Sequence, residues 1–417
     1  MSNMTRRTRR WLWVGGLAAL ALAAGVLING CAALGQHADG ARLARMRQSP
    51  EWRDGQFRNP QPLWNNMWGA LRHSLDSAPH DAPDGPVPVL HSDGHQLRTP
   101  PASGLRVTWF GHSSTLQEID GSRVLTDPIW SERPSPVPAV GPERWYAPPI
   151  ALADLPAIDV VVISHDHYDH LDYATVRALA PGPAVFVVPL GIGAHLAYWG
   201  IPASRIIELD WWQSARVAGL TITATPARHA SGRLNPDSDV TLWSGFALAS
   251  AHHRVYYSGD TGLFPALSDI GRRLGPFDVA LIEAGQYDAD WPDWHLGPEQ
   301  AVRASRMVGA RVLIPVHWGL FKLAHHGWTE PAERVLAVAR CAGVSLMTPQ
   351  PGTSVEPSPT AARLPQRWWP ATPWRDAGLD PIVATRNGVA AERVAPFTCA
   401  SAGDASNASN ADFLPHQ

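Results

Sequence analysis

Cysteine is scarce in this 417-residue chain: Cys31, Cys341 and Cys399 are the whole complement. Three thiols so widely separated build neither a disulfide framework nor a four-thiolate zinc site, so any metal must lean on histidine and carboxylate. Charge of one sign is lacking as well. Lysine and arginine number 34 against 37 aspartates and glutamates, a formal net charge of -3 with no basic stripe, which excludes nucleic acid as the default partner. With 17% charged and 45% hydrophobic residues the chain is neither a disordered polyampholyte nor a multispanning membrane protein. Its length corresponds to roughly two or three domains of ordinary size, or to one large α/β or β-sandwich domain. What the sequence has in quantity is 39 prolines, 19 tryptophans and 18 histidines, and only the histidines fall into a spacing that carries chemistry.

Residues 1–31 have the order of an export signal: Arg6, Arg7, Arg9 and Arg10 precede an uncharged apolar run from Trp11 to Ile28. The run ends in Leu27-Ile28-Asn29-Gly30-Cys31, similar to a bacterial lipobox, so a lipidated Cys31 is expected in preference to an uncleaved N-terminal membrane anchor. Thr8-Arg9-Arg10-Trp11-Leu12 loosely resembles a twin-arginine signal, but an ordinary basic leader is the preferred reading. Ala32 after the cysteine suits outer-membrane sorting in the cell envelope of a Gram-negative bacterium, with the body facing the periplasm. In either form the body is expected to be membrane-tethered.

Residues 32–103 read as a Pro/Gly-rich arm, 104–357 as a large folded domain, and 358–417 as a Pro/Trp-rich extension with a disordered tail. Strands are predicted over Leu105–Phe110 and Arg123–Thr126, with a hairpin turn at Asp120-Gly121. The continuous apolar runs Ile158–Ile163 and Ala184–Val188 suit strands buried on both faces. Later strands are expected at Leu220–Thr225, Gly245–Leu248, Arg254–Tyr257, Val279–Ile282 and Arg311–Pro315. Helical spacing covers Tyr173–Ala180, Gly191–Trp199, Pro298–Met307 and Pro331–Cys341, the last two with proline in the first turn, where its missing N–H costs nothing. Strands with interspersed helices of this kind predict a two-sheet α/β sandwich.

Directly after the first buried run comes Ser164-His165-Asp166-His167-Tyr168-Asp169-His170, with three histidines and two aspartates in six residues. A single histidine is usually structural; a cluster at the carboxyl end of a buried strand is not. His165 and His167, two apart in extended chain, point to one side and suit one ion, while Asp169 and His170 reach a second. More donors are required, and each follows a predicted strand: His229 after Leu220–Thr225, Asp260 after Arg254–Tyr257, and His317 after Arg311–Pro315.

The order His-x-His-x-Asp-His, then His, Asp and His, resembles the metallo-β-lactamase-fold hydrolases. The flanking stretches Thr108-Trp109-Phe110-Gly111-His112-Ser113, Leu125-Thr126-Asp127-Pro128, Ser258-Gly259-Asp260-Thr261-Gly262, His295-Leu296-Gly297-Pro298-Glu299 and Pro315-Val316-His317-Trp318-Gly319 are similar to the branch of the N-acyl-phosphatidylethanolamine-hydrolysing phospholipase D and its bacterial lipoprotein relatives. The resemblance runs from about Gln56 to Gly352 and implies a four-layer αββα sandwich with a binuclear site at one edge. It implies one ion on His165, His167 and His229, another on Asp169, His170 and His317, and Asp260 bridging. Two departures bear on substrate: Glu283 stands where the phospholipase pattern is apolar, and Asp288-Ala289-Asp290-Trp291 replaces a long aromatic-basic stretch.

Imidazole with carboxylate and no thiolate suits two Zn²⁺, and the same ligand types accept Fe or Mn. The expected activity is hydrolysis of a phospholipid or other amphiphile by a phosphodiesterase of phospholipase D type, with a metal-bridging hydroxide as nucleophile. Asp169, Asp260 and His295 are the candidate catalytic groups, with His295 the proton donor to the leaving alcohol or, with equal weight, a packing residue before Gly297-Pro298. His112 and His326 read as structural, and Asp127 and Asp166 as turn residues or supports that orient metal-bound histidines. Trp64, Trp68, Trp109, Trp211, Trp212, Trp294 and Trp318 offer surface for acyl chains, with packing the expected role for most. Cys341 is expected on a buried helix face and Cys399 in the tail, their pairing open. A lactonase or carboxylic ester hydrolase would use the same ligands, as would a non-catalytic envelope protein that binds metal or lipid. The substrate is expected to be small and amphiphilic, and a homodimer is compatible with the reading.

Overall fold

The computed structural model describes residues 30–73, 78–233, 238–360, 362 and 367–400. The apolar run ending at Ile28 and the terminal Ser-Asn-Ala repeats lie outside them. Among the described residues no helix is long and apolar enough to cross a membrane.

The arm carries helix α1 (Gly40–Met46), a small hairpin of β1 (Trp52–Arg53) and β2 (Gln56–Phe57), and helix α2 (Met67–His73). A seven-stranded sheet follows, built from β3 (Leu105–Gly111), β4 (Ser114–Ile119), β5 (Ser122–Thr126), β6 (Val160–Val162), β7 (Val185–Pro189), β8 (Ile206–Leu209) and β15 (Ser354–Val355), in the order β15-β3-β4-β5-β6-β7-β8. The second sheet has β9 (Ser214–Val217), β10 (Leu220–Thr225), β11 (Gly245–Ala249), β12 (Arg254–Tyr257), β13 (Val279–Glu283) and β14 (Leu313–Val316), in the order β14-β13-β12-β11-β10-β9. Each sheet is antiparallel at one end and parallel at the other, where helices make the crossovers except between β5 and β6, which a long loop joins.

Side-chain alternation explains the layering. Val160, Val162 and Val187 face the second sheet, whose Ile222, Phe246, Tyr257 and Val316 meet them in one core. Val161, Phe186 and Val188 face the other way and pack under α3 (Tyr173–Leu179) and α4 (Ile192–Tyr198) through Val176, Ile192 and Leu196. Ala280, Ile282 and Leu313 do the same beneath α5 (Ala266–Leu274), α6 (Pro298–Met307) and α7 (Glu330–Ala342). The result is the expected αββα sandwich, and the continuous apolar runs are continuous because both faces of their strands are covered.

Helix α6 has the predicted bounds, and the other three predicted helices differ at their ends by a residue. The first hairpin is shifted: Asp120-Gly121 joins β4 to β5, both turn residues having positive φ as a two-residue turn of this type requires, while β3 turns into β4 through His112-Ser113. Strand β4 escapes prediction because its interior is polar. Thr115 and Thr126 hydroxyls lie 2.6 Å apart across the strands, and Glu118 pairs with Arg106, so the buried polar groups satisfy one another. Strands β8, β9 and β15 also lack a clear pattern, whereas helix α5, likewise unpredicted, has one, with Leu267 and Ile270 buried on one face.

Cys341 and Cys399 form a disulfide, and Cys341 sits exposed at the end of α7 rather than on a buried face. The bond pins the extension to the sandwich across 58 residues of sequence, where Ala384, Val394 and Phe397 add to the outer core. A closed loop of that size restricts the unfolded chain by about 4 kcal/mol in the chain-entropy picture. Cys399→Ser is therefore expected to lower stability by about 2–4 kcal/mol, measured from the urea midpoint of oxidised parent and variant.

Candidate metal centre

The site lies at one edge of the sandwich, where loops leave the carboxyl ends of strands from both sheets. Strand β6 leads into His165–His170, β10 into His229, β12 into Asp260, β13 into Glu283 and the loop bearing His295, and β14 into His317. His112 closes the edge: its backbone N–H donates to Trp318 O at 3.1 Å and its carbonyl accepts from His317 N at 2.9 Å, stitching the two sheets together. His112, Asp127 and His317 all have positive φ, a conformation that costs non-glycine residues free energy and is held by the surrounding packing.

His165, His167 and His229 form one group of converging donors. His165 Nε2 lies 2.8 Å from His167 Nδ1, and His229 Nε2 lies 3.4 Å from the same atom. Asp169, His170 and His317 form the other, joined by His112. Here the Nε2 atoms of His170 and His317 are 3.3 Å apart, and Asp169 Oδ2 is 3.3 Å and 3.4 Å from them. Asp260 Oδ2 stands between the groups, 3.1 Å from His170 Nε2, 3.2 Å from His317 Nε2, 3.7 Å from His165 Nε2 and 3.8 Å from His229 Nε2. The other six sequence-predicted donors thus come together around the Asp260 carboxylate.

The donor set fits divalent metal. Ligands at about 2.0–2.1 Å around a tetrahedral ion sit roughly 3.3 Å from one another, the spacing found in the Asp169, His170 and His317 group. Asp260 Oδ1 is buried with no hydrogen-bond partner, a costly arrangement that an ion relieves. Burial, followed by neighbouring imidazoles, holds His165 well below its ordinary pKa, and burial does the same to His229, which favours the neutral rings that a metal would need. Burial also lowers His167. Around the second group the site asks for positive charge: burial pulls His317 down, but Asp260, Asp169 and Glu283 outweigh it and raise the imidazole to about 10. Burial would raise Asp260 and Asp169, yet His170 and its neighbours hold both carboxyls well below the usual range.

Supports surround the donors. His170 Nδ1 lies 2.6 Å from Asp127 Oδ2, so Asp127 orients a histidine of the site as expected. Asp166 does not: it accepts from Gly232 N at 2.7 Å and Thr241 Oγ1 at 2.9 Å and faces His195, tying down the loop instead. His326, stacked on Tyr287 and accepting from Gln286 N at 2.8 Å, is structural. His112 is more than structural, with Nε2 2.8 Å from Asp169 Oδ2; it ends a strand like the other donors, which was the available signal. Glu283 is the residue that sequence reasoning noted without assigning. Fully buried, it lies 2.7 Å from His295 Nδ1 and 3.3 Å from His317 Nδ1, and it accepts from Thr261 N and Leu296 N. Its signal was an acid ending the apolar run Val279–Ile282.

A cleft of about 290 Å³ opens on the donors, with His167, Asp169, Asp260 and His317 at its base and His295 on its wall. Trp291, Trp294, Leu323, Gln286 and, from the arm, Asn65 and Ala70 complete it. On α2, next to this opening, Trp68 is 76% and Leu71 61% exposed. Trp294 thus meets the expectation for a cleft tryptophan, whereas Trp109 and Trp318 stack in the core at 5.2 Å, and Trp211 is buried.

Residues 122–318 match the family model of the beta-lactamase superfamily domain. An uncharacterized protein of Mycobacterium tuberculosis is 48% identical over 350 residues, covering 81% of this chain and 92% of its own. An N-acyl-phosphatidylethanolamine-hydrolyzing phospholipase D of Caenorhabditis elegans is 36% identical over 293 residues, 64% of this chain and 81% of that protein. Among solved structures, a metallo hydrolase from the archaeon Ignicoccus hospitalis is 27% identical with a TM-score of 0.48, covering 60% of this chain and 97% of its own.

Proposed function

This chain belongs to the beta-lactamase superfamily of metal-dependent hydrolases, and from that membership we propose a binuclear zinc phosphodiesterase of phospholipase D type that acts on a phospholipid or related amphiphile. The observation that carries the reading is Asp260 Oδ2 standing between two groups of converging donors, 3.1–3.8 Å from four imidazoles. His165, His167 and His229 would hold one ion, Asp169, His170 and His317 the other, with Asp260 shared. When bound, such a pair of cations supplies an activated water at neutral pH and Lewis acidity toward the phosphoryl oxygens.

The chain's own groups do the rest. His295 has its Nδ1 engaged by Glu283, which leaves Nε2 to face the cleft and give a proton to the departing alcohol oxygen. Trp291, Trp294 and Leu323 present apolar surface beside the donors, suited to a substrate with a polar head and hydrocarbon body. The nematode relative carries a phospholipid-hydrolysing name over most of its length. Tethering at the N-terminus, by lipidated Cys31 or by the apolar run before it, would hold the body at a Gram-negative envelope membrane. The Cys341–Cys399 disulfide suits that oxidising setting.

The test is turnover by the purified chain loaded with Zn²⁺, given bis-(p-nitrophenyl) phosphate, an N-acyl phosphatidylethanolamine and a panel of lactones. Both phosphodiesters are expected to be cleaved, with activity lost in chelator, restored by Zn²⁺ and absent from His167→Ala. Lactone cleavage without phosphodiester cleavage would replace this reading with a lactonase.

A further inference from the structure

Beneath the cleft lies a buried ion pair that the proposed chemistry does not use. Arg228 and Asp293, both fully buried, meet as a fork: Nη1 donates to Oδ1 and Nη2 lies against Oδ2, each at 2.9 Å. A buried pair loses its hydration and is retained only where its remaining donors and acceptors are satisfied. Here all but Arg228 Nε find partners, most of them from the two ends of the chain. From the C-terminal extension, Thr385 N donates to Asp293 Oδ1 at 2.7 Å and its hydroxyl to Oδ2 at 2.5 Å, while its carbonyl accepts from Arg228 Nη1 at 2.8 Å. From the arm, Trp64 N donates to Asp293 Oδ2 at 2.8 Å, and Pro62 O accepts from Arg228 Nη2.

The pair is adjacent to the donors in sequence and in space. Arg228 precedes His229, and Asp293 is two residues before His295. Trp294, between Asp293 and His295, accepts from His229 Nδ1–H at 2.9 Å, which fixes the tautomer that turns the Nε2 lone pair toward His167. Arg228 also joins the Asp260 loop through its backbone, taking Thr261 Oγ1 at 2.9 Å and Gly262 N at 2.8 Å.

We propose that the C-terminal extension is a working part of the metal centre: Thr385, acting through Asp293 and Arg228, is a positioning residue for His229 and His295. The inference rests on the reading of the donors as metal ligands. It gives the extension a task beyond covering the outer helices, because the hydroxyl of one residue far from the ligands in sequence then governs the angle at which His229 is presented.

The test uses the full chain with Co²⁺ in the site, whose visible d–d absorption reports ligand geometry, together with the half-life of the bound ion in chelator. Thr385→Val is expected to shift the absorption and shorten the half-life about 10-fold or more, the usual cost of losing an outer support of a ligand, and Thr385→Ser to restore both. Thr385→Ala carries the same expectation should Thr385→Val not fold. Cys399→Ser, which loosens the end of the extension without touching Thr385, is expected to lower the unfolding temperature and leave the spectrum unchanged. A Thr385→Val protein that is less stable but keeps the parental spectrum and half-life would reduce Thr385 to packing and overturn the proposal. A parent chain that takes up no Co²⁺ would instead overturn the metal reading on which it stands.

Discussion

Asp260→Ala is expected to lower hydrolysis by roughly 10³-fold or more and to leave the purified chain short of metal. Charge stabilisation by bound cations is worth several kcal/mol in a transition state, and each 1.4 kcal/mol is about a factor of ten. Asp260 Oδ2 faces the Nε2 atoms of imidazoles from both donor groups, so its loss reaches both. It leaves His165, His170, His229 and His317 facing one another around a buried space with a negative charge removed. His167→Ala touches only one group and is expected to retain part of the metal content. Elemental analysis of parent and variants, alongside kcat/KM on a phosphodiester, separates the two. An Asp260→Ala protein with parental metal content and activity within tenfold of the parent would remove Asp260 from the centre of the site.

Those seven donors were legible because each ends a strand with a recognisable apolar pattern. The sheet fixes where such a residue goes, so order along the chain translates into position in space. His112 obeys the same rule but opens a turn that was not predicted, because β4 buries Thr115, Gln117 and Glu118 against side-chain partners and so does not look like a strand. The supporting residues were hidden for a different reason. Asp293 is an ordinary loop aspartate in sequence, and Thr385 lies in a segment dominated by proline and tryptophan; their meaning exists only when a chain end folds back more than 90 residues to meet a loop. Cys341 and Cys399 are similar: pairing depends on where the extension returns, which no local pattern encodes. Glu283 stood between these cases, conspicuous as a charge at the end of a buried strand but without a visible partner.

Glu283 is where this chain leaves the pattern it otherwise resembles, and its replacement by leucine is expected to cost about 10²-fold or more in kcat on an alkyl phosphodiester at saturating metal. The geometry gives the reason. One carboxylate oxygen accepts from Thr261 N and Leu296 N, fixing the loops of Asp260 and His295, while the other lies 2.7 Å from His295 Nδ1 and 3.3 Å from His317 Nδ1. Removing it frees the His295 ring to rotate and takes the negative charge from beside Nδ1, so the doubly protonated ring, the form that donates Nδ1–H to Glu283 while keeping a proton on the other nitrogen for an alkoxide, loses its partner. A p-nitrophenolate leaves without that proton. Loss on bis-(p-nitrophenyl) phosphate should therefore stay below about 10-fold, while the alkyl diester suffers the full effect. Glu283→Gln keeps an acceptor for the two backbone N–H groups but not the charge, and is expected to fall between the parent and Glu283→Leu on the alkyl diester. A loss of equal size on both substrates would mean that Glu283 acts through His317 and the metal, or through the fold, and not through the proton on His295.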